Sequence, residues 1–388
     1  MIIFFLTSWF PSRVVPNHGN FIARHARLVA RDHEVTVVTI QDDPALPFGR
    51  RSVEERTEDG YHVIQVFFGQ GRAPGPVKVW LRLRAYARGM RLARAKAGGP
   101  DLLHGHVLLD GGMAASLYAG RWGIPYVLTE HSSAYHETGA LPEPRGRLGR
   151  RACRNASVIM PVSDHLGQSM RELNDLAGRY RTVSNVVSSD TFQAGPSPDG
   201  PPFLLLHVSN FIERDKNITG LLRAFARLPQ TPFSEITLHL AGDGDLAELS
   251  RQIEAAGVKG VTHSGPHTET EIADLMRAHH AFMLFSHTEN QPVVLLEAQM
   301  IGRPCIATDV GGIPDIIEDG VTGYLVPAAD EAALTAAILR LRDNYDAFDQ
   351  AAIRERAVAR YSETAVRAAL NQEYHRATEE NFSPKPKR

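Results

Sequence analysis

Two carboxylates stand eight residues apart in the segment Ser286-His-Thr-Glu289-Asn-Gln-Pro-Val-Val-Leu-Leu-Glu297-Ala298. The apolar run Phe282 to Phe285 precedes them, and a helical pattern starts near Val293. Glu289 therefore falls at a strand end, where ligands meet an open α/β sheet. Glu297 falls about a turn into the helix that follows. That helix N-terminus offers unpaired N–H groups and the positive end of a dipole, a seat for a diphosphate. A carboxylate can accept two hydrogen bonds from a diol, so the pair suits the hydroxyls of a ribose or a sugar. The plain alternative is one capping acid and one solvated helix acid.

Lys216 is a second anchor. It lies in Val208-Ser-Asn210-Phe-Ile-Glu-Arg214-Asp-Lys216-Asn217, between a strand and a helix. An ammonium there can neutralise charge building on a leaving diphosphate. Arg214 is the nearest candidate for another positive charge. In the first half, Pro16-Asn-His18-Gly19-Asn20-Phe21 runs into a helix, and Gly19 permits a phosphate to approach the backbone. The loop Ala241-Gly242-Asp243-Gly244 reads equally well as a bare turn. His131 follows the strand ending Leu128-Thr-Glu130, where an imidazole can hydrogen-bond a sugar hydroxyl. His104 and His106, one strand earlier, either line an acceptor pocket or serve the core. No His, Cys and carboxylate set has metal-ligand spacing, so neither metal nor cofactor is expected.

These residues need strands and helices to hold them, and the chain of 388 residues supplies both. Strands are expected at Ile2–Leu6, Val35–Ile40, Asp101–His104, Pro125–Thr129 and Val158–Val162, with helices at Phe21–Arg31, Trp80–Ala95 and Gly112–Arg121 between them. The second half restarts with strands at Phe203–Val208, Ile236–Ala241, Val261–Ser264, Phe282–Phe285 and Pro304–Ala307. Helices intervene at Asn217–Leu228, Leu246–Ala256, Thr268–Arg277 and Val293–Ile301, and Glu331–Asn344 follows. Thr268 and Glu271 have capping-box spacing. Strands alternating with helices imply α/β architecture with parallel sheets. Gln193 to Pro202, rich in Pro and Gly, is the best linker.

Composition excludes other classes. Hydrophobic residues make up 43% and charged residues 22%, as in globular chains. A net charge of −2 excludes a general nucleic-acid coat. The two cysteines, Cys153 and Cys305, lie too far apart in sequence to build a disulfide framework and suit a reducing cytosol. No apolar run approaches the roughly 18–20 residues of a membrane span. No G-x-G-x-x-G follows the first strand and no G-x4-G-K-[ST] occurs, which counts against nicotinamide and P-loop enzymes.

The segment from Glu289 to Glu297 resembles the E-x7-E signature of the retaining GT-B glycosyltransferase family 4, in a Glu-Asn-x-Pro variant. The runs Gly302-Arg-Pro304 to Gly311-Gly312-Ile-Pro314-Asp315 and Asp319-Gly320-Val-Thr-Gly323 continue that pattern. The resemblance implies a GT-B fold, two Rossmann-like domains facing a deep interdomain cleft. It implies a first, acceptor-side domain at 1–192, a linker at 193–202 and a nucleotide-sugar-binding domain at 203–350. A helical stretch at 351–378 should cross back to the first domain, ahead of a flexible tail at 379–388. It assigns catalysis to His131, Lys216 and Glu289, and donor binding to Gly19, Asn20, Asn210, Arg214, Lys216, Glu289, Val293, Val294 and Glu297. His104 and His106 fall on the acceptor side. The implied reaction moves a sugar from a nucleotide-sugar donor, UDP-linked before GDP-linked, to a carbohydrate or lipid-linked acceptor, retaining configuration without metal. Most members carry Glu-Gly-Phe-Gly where this chain has Glu289-Asn-Gln-Pro292, and Pro292 has no N–H to offer. The competing readings are a sugar-nucleotide epimerase or hydrolase on the same plan, and a silent carbohydrate-binding protein.

Basic residues crowd the first half. Lys78, Arg82, Arg84, Arg88, Arg91, Arg94 and Lys96 decorate one expected helix, and Arg145, Arg147, Arg150, Arg151 and Arg154 form a second cluster. Neither run contains an acid. Such faces suit anionic headgroups or phosphorylated acceptors, or simply solvate a helix. The expected location is the cytoplasm, with peripheral contact at the inner membrane face.

Overall fold

In β1 (Ile2–Thr7) every second side chain turns to the opposite side of the sheet. Ile3 and Phe5 enter one apolar layer, and Phe4 and Leu6 enter another. Both sides are buried because helices cover both, which is why the run is continuously apolar rather than alternating. The structure, a computed structural model, describes residues 1–16, 18–139, 143, 145–229 and 235–382. Asn17 of the glycine loop and the expected tail from residue 383 on lie outside the described residues.

The chain divides into two compact units, residues 1–186 with 366–388, and residues 187–365. In the first, β1 is followed by β2 (Glu34–Asp42), β3 (Arg51–Glu58), β4 (Tyr61–Phe68), β5 (Leu102–His106), β6 (Tyr126–Glu130) and β7 (Val158–Pro161). Their order across the sheet is β3-β4-β2-β1-β5-β6-β7. Five helices of the chain's first half belong to this unit: α1 (Asn20–Val29), α2 (Gly75–Ala97), α3 (Met113–Trp122), α4 (Arg145–Asn155) and α5 (Asp164–Glu172). All pairs are parallel except β3 with β4. The sequence reading places no strand between Gln41 and Val79, so this hairpin is a correction. Its signal was present: Asp59-Gly60 takes φ of 43° and 86°, the left-handed pair that a two-residue hairpin turn demands.

In the second unit, β8 (Phe203–Ser209), β9 (Ile236–Gly242), β10 (Val261–Ser264), β11 (Ala281–Leu284), β12 (Cys305–Thr308) and β13 (Gly323–Val326) form a parallel sheet ordered β10-β9-β8-β11-β12-β13. The helices are α6 (Glu213–Lys216), α7 (Ile218–Ala226), α8 (Leu246–Ala256), α9 (Glu269–Arg277), α10 (Val293–Ile301), α11 (Glu331–Asp343) and α12 (Gln350–Tyr361). Short α6 and strand β13 are further elements that the sequence reading does not contain. The Thr268–Glu271 capping box forms as expected at the start of α9.

The stretch at 193–202 packs on the second unit. Buried Arg303 holds it, donating to the Pro196 carbonyl at 2.7 Å, the Ser197 hydroxyl at 3.2 Å, the Arg277 carbonyl at 2.8 Å and Gln350 at 2.7 Å. Helix α13 (Glu363–Phe382) is shared at its start, and from Val366 it belongs to the first unit. There Val366, Leu370, Tyr374 and Ala377 line one face and join the layer that holds Ile3 and Phe5.

Candidate active site

In the second unit, the ends of β8 and β11 bring two loops together. Asn217, at φ 50°, ends α6 and caps α7 by accepting from the Gly220 N–H at 3.2 Å. This sharp turn fixes Lys216 just before the cap. The His287 N–H donates to the Asp215 carbonyl at 2.8 Å, tying the loop after β11 to α6. Lys216 Nζ then forms an ion pair with Glu289 Oε1, across 73 residues of sequence. Ser286 Oγ donates to the same carboxylate oxygen at 2.7 Å. Thr308 on β12 donates to the Ser286 carbonyl at 2.7 Å, so a neighbouring strand steadies the loop.

Below Lys216 lies His207. Its Nδ1 contacts the Met283 carbonyl at 3.0 Å and its Nε2 the Ser209 hydroxyl at 2.8 Å. Burial lowers its pKa to about 4 against the Met283 contact, and the Lys216 charge lowers it further. The lysine therefore rests on a neutral ring. Gly242 is required by close approach: a Cβ there would meet the Ser209 carbonyl at 1.6 Å. The loop after β9 thus serves to pack against the loop after β8.

Helix α10 begins after Pro292, with no side-chain cap and no acid in its first turn. Its unpaired N–H groups, those of Val293 and Val294 among them, keep their positive end unneutralised by the chain's own caps. Glu297, buried, lies one turn in, and Val293 and Val294 are half-buried. Lys216, Glu289 and the α10 terminus belong to this one unit, as the sequence reading requires. Asn210 is exposed and turns back to accept from the Ile212 N–H at 3.3 Å. Arg214, 87% exposed, pairs with its neighbour Asp215 at 3.0 Å. The residue sequence reasoning missed is Ser286. Its only signal was a hydroxyl at a strand end.

In the first unit the histidines gather on one face. His104 and His106 alternate on β5 and so share a side of the sheet, where both rings meet Phe5. His104 spends both nitrogens internally, on Tyr374 Oη at 2.8 Å and Thr129 Oγ1 at 2.7 Å. It has none left for an acceptor. His106 Nδ1 lies 3.4 Å from His131 Nε2. His25, on the buried face of α1, completes a group of three whose ring nitrogens lie within 4.8 Å of one another. Burial pushes His25 down to about 4, partly offset by the Ser184 backbone, and holds His104, His106 and His131 well below the usual range.

Glu130 fixes His131. Its carboxyl accepts from the N–H groups of Leu108 at 2.7 Å, His131 at 2.8 Å and Ser132 at 2.8 Å. Burial nonetheless raises its pKa to about 7 against those three donors. The sequence reading did not single it out, although an acid at the end of an apolar strand was the available sign. Gly19 begins α1 at φ 78°, and a Cβ there would meet the Trp9 carbonyl at 2.4 Å. The turn itself therefore requires glycine. Asn20 is exposed in the first turn of α1.

The basic runs find acids from outside themselves. Arg82 pairs with Asp110, Lys96 with Glu55 at 3.5 Å, and Arg147 with Glu143 at 3.1 Å, while Arg150 also reaches Glu143. Among the described residues, Arg84, Arg88 and Arg91 have no ion-pair partner; they line a concave patch with Arg50 and Arg51. Exposed Trp80 and Leu83 lie on the same helix. No helix among the described residues is long and apolar enough to cross a membrane.

Comparison with known proteins agrees with this architecture. Residues 202–344 match the family described as "Glycosyl transferases group 1", and residues 25–186 match a "Glycosyl transferase 4-like domain". A D-inositol 3-phosphate glycosyltransferase of Frankia alni is 32% identical over 64% of this chain and 68% of its own length. TuaC of Bacillus subtilis, a putative teichuronic acid biosynthesis glycosyltransferase, is 25% identical over 81% of this chain and 83% of its own. Among solved structures, the sucrose-phosphate synthase of Thermosynechococcus elongatus superposes with a TM-score of 0.77 at 22% identity, covering 96% of this chain and 98% of that one. HepE of Anabaena in complex with UDP gives 0.69 at 18% identity, covering 96% and 99%. The chain belongs to the group 1 glycosyl transferases: it is a glycosyltransferase, and its two parallel sheets are those of the GT-B fold.

Proposed function

We propose that this glycosyltransferase moves a sugar from a UDP-linked donor to an acceptor hydroxyl with retention of configuration. The observation that carries the reading is the Lys216–Glu289 ion pair, steadied by Ser286, in the unit whose α10 terminus lacks a cap. Lys216 and the α10 N–H groups hold the diphosphate and stabilise its charge as it leaves. Glu297 accepts from the ribose hydroxyls, and Glu289 orients the transferred sugar together with His131. The acceptor oxygen attacks the anomeric carbon as the bond to the diphosphate breaks. A diphosphate oxygen takes the acceptor proton, so catalysis is positioning plus charge stabilisation. No metal or cofactor enters the step. The solved complexes of HepE with UDP and with UDP-glucose support the choice of base. The curated relatives that act on D-inositol 3-phosphate make a phosphorylated polyol the first acceptor to try.

The test is incubation with UDP-, GDP- and ADP-sugars, with and without inositol phosphates and lipid-linked sugars, after chelator treatment. Product NMR should show the donor's anomeric configuration. Inversion, or a requirement for added metal, would overturn the mechanism. Release of free sugar at the same rate without acceptor would favour the hydrolase reading, and tight nucleotide binding without turnover the silent binder.

The patch on α2 gives the reading a location. Arg84, Arg88 and Arg91, with exposed Trp80 and Leu83 beside them, fit an anionic membrane surface, where lipid-linked acceptors reside.

A further inference from the structure

We propose that His25, His106 and His131 form a binding site for a borderline transition-metal dication such as Zn²⁺, separate from the Lys216–Glu289 site. No local spacing announces it, since the three residues come from α1, β5 and the loop after β6. The fold nevertheless brings one nitrogen from each within 4.8 Å of the others, the sole such group among the described residues. His106 Nδ1 and His131 Nε2 lie 3.4 Å apart. Tetrahedral Zn²⁺ with bonds of about 2.0–2.1 Å sets its ligand nitrogens about 3.4 Å from each other. That edge of the coordination figure is therefore already in place, and His25 needs only a small shift to close the face.

The chemistry of the donors agrees. Imidazole suits Zn²⁺, Co²⁺ and Ni²⁺, and binds them as the neutral ring. Burial keeps all three rings neutral at ordinary pH. Both ring nitrogens of His25 and Nε2 of His106 are buried with no well-formed hydrogen bond. Leaving buried polar atoms unsatisfied is costly, and a metal bond would remove that cost for His25. The surroundings would also orient the ligands: the Asn185 side chain bonds His131, and Glu130 grips the His131 backbone. Three protein ligands leave a fourth position for water or a substrate oxygen.

The site is not a cofactor site for the proposed transfer. It takes His131 away from the sugar, so occupancy should slow transfer, a consequence that rests on the functional reading above. Binding itself does not, and it is tested directly. The full chain, stripped by chelator, is titrated with Co²⁺ and followed by visible absorption. One equivalent should give the bands of tetrahedral Co²⁺, and one equivalent of Zn²⁺ should displace it. His25→Gln and His106→Gln should each abolish the bands while retaining a cooperative melt. His239→Gln, in the second unit, should leave them unchanged. No saturable spectrum in the wild-type chain overturns the proposal even if the variants fail to fold. Bands that persist in His25→Gln, or that vanish in His239→Gln, overturn it as well. Metal binding without inhibition would keep this site and sink the role of His131 in transfer.

Discussion

The two units treat charge in opposite ways at their strand ends. The first removes charge from its interior: four buried histidines are held neutral, while unpaired arginines stand outside on α2. The second puts charge inside, as Lys216 paired with Glu289 over a neutral His207. Desolvating a cation and an anion is expensive unless they meet, and here they meet with Ser286 as a further donor. A unit that must stabilise a leaving diphosphate gains from a fixed cation. A unit that receives an uncharged hydroxyl does not.

The largest expected effect comes from acid. A buried histidine with a folded pKa near 4 refuses a proton that the unfolded chain accepts from about pH 6.5 downward. Stability is therefore lost as pH falls from about 6.5 to 4, by about 3 kcal/mol for His25 alone at about 1.4 kcal/mol per pKa unit. Glu130, raised to about 7, works the other way: its contribution is full below about 4.5 and is lost as pH rises through 7. It offsets roughly one histidine, leaving the others to decide. All three tryptophans, Trp9, Trp80 and Trp122, lie in the first unit. Urea melts followed by tryptophan fluorescence should thus fall steeply in stability between pH 6.5 and 4. A flat profile would erase the contrast.

Next is Lys216→Ala, which should lower kcat by roughly 10²–10³, the cost of losing one preorganised charge-stabilising donor. The variant also strands a buried carboxylate, so Lys216→Ala/Glu289→Gln separates a rate defect from a folding defect. Full activity in the single variant would remove the second unit's charge from the mechanism. Glu297→Ala should weaken UDP binding by about 1.5–3 kcal/mol in calorimetry, the range for a charged hydrogen bond. Unchanged affinity would move the ribose elsewhere. Smallest is the exterior: Arg88→Glu or Arg91→Glu should each cost about 1 kcal/mol in binding anionic vesicles, and added salt should mimic the loss. Equal sedimentation with neutral vesicles would reduce α2 to a solvated face.

Much of this was legible in sequence. The alternation of apolar strands with helices predicts both parallel sheets, because each period is local. Lys216, Glu289 and Glu297 were legible because each stands at a strand-to-helix junction, where the fold puts its ligands. The β3–β4 hairpin escaped because half of β3 is exposed and polar, leaving only Asp59-Gly60 to mark it. His25 escaped for a different reason. It is one of seventeen histidines, on a helix whose buried face could equally be plain core, and only packing against β5 gives it neighbours. Glu130 looked like an ordinary strand-end acid. Its three N–H donors come from a turn that local sequence does not announce.

Arg303 bears on where this chain can be divided. Its guanidinium has no carboxylate and relies on carbonyl and hydroxyl oxygens, two of them from Pro196 and Ser197. A recombinant fragment begun at Phe203, where the sheet starts, would strip those acceptors and leave a buried cation short of partners, at a cost of several kcal/mol. Begun at Val187 and ended at Ala365, the fragment keeps them. The Pro- and Gly-rich stretch looks like the natural place to cut a gene, but the arginine makes it part of the second unit's foundation.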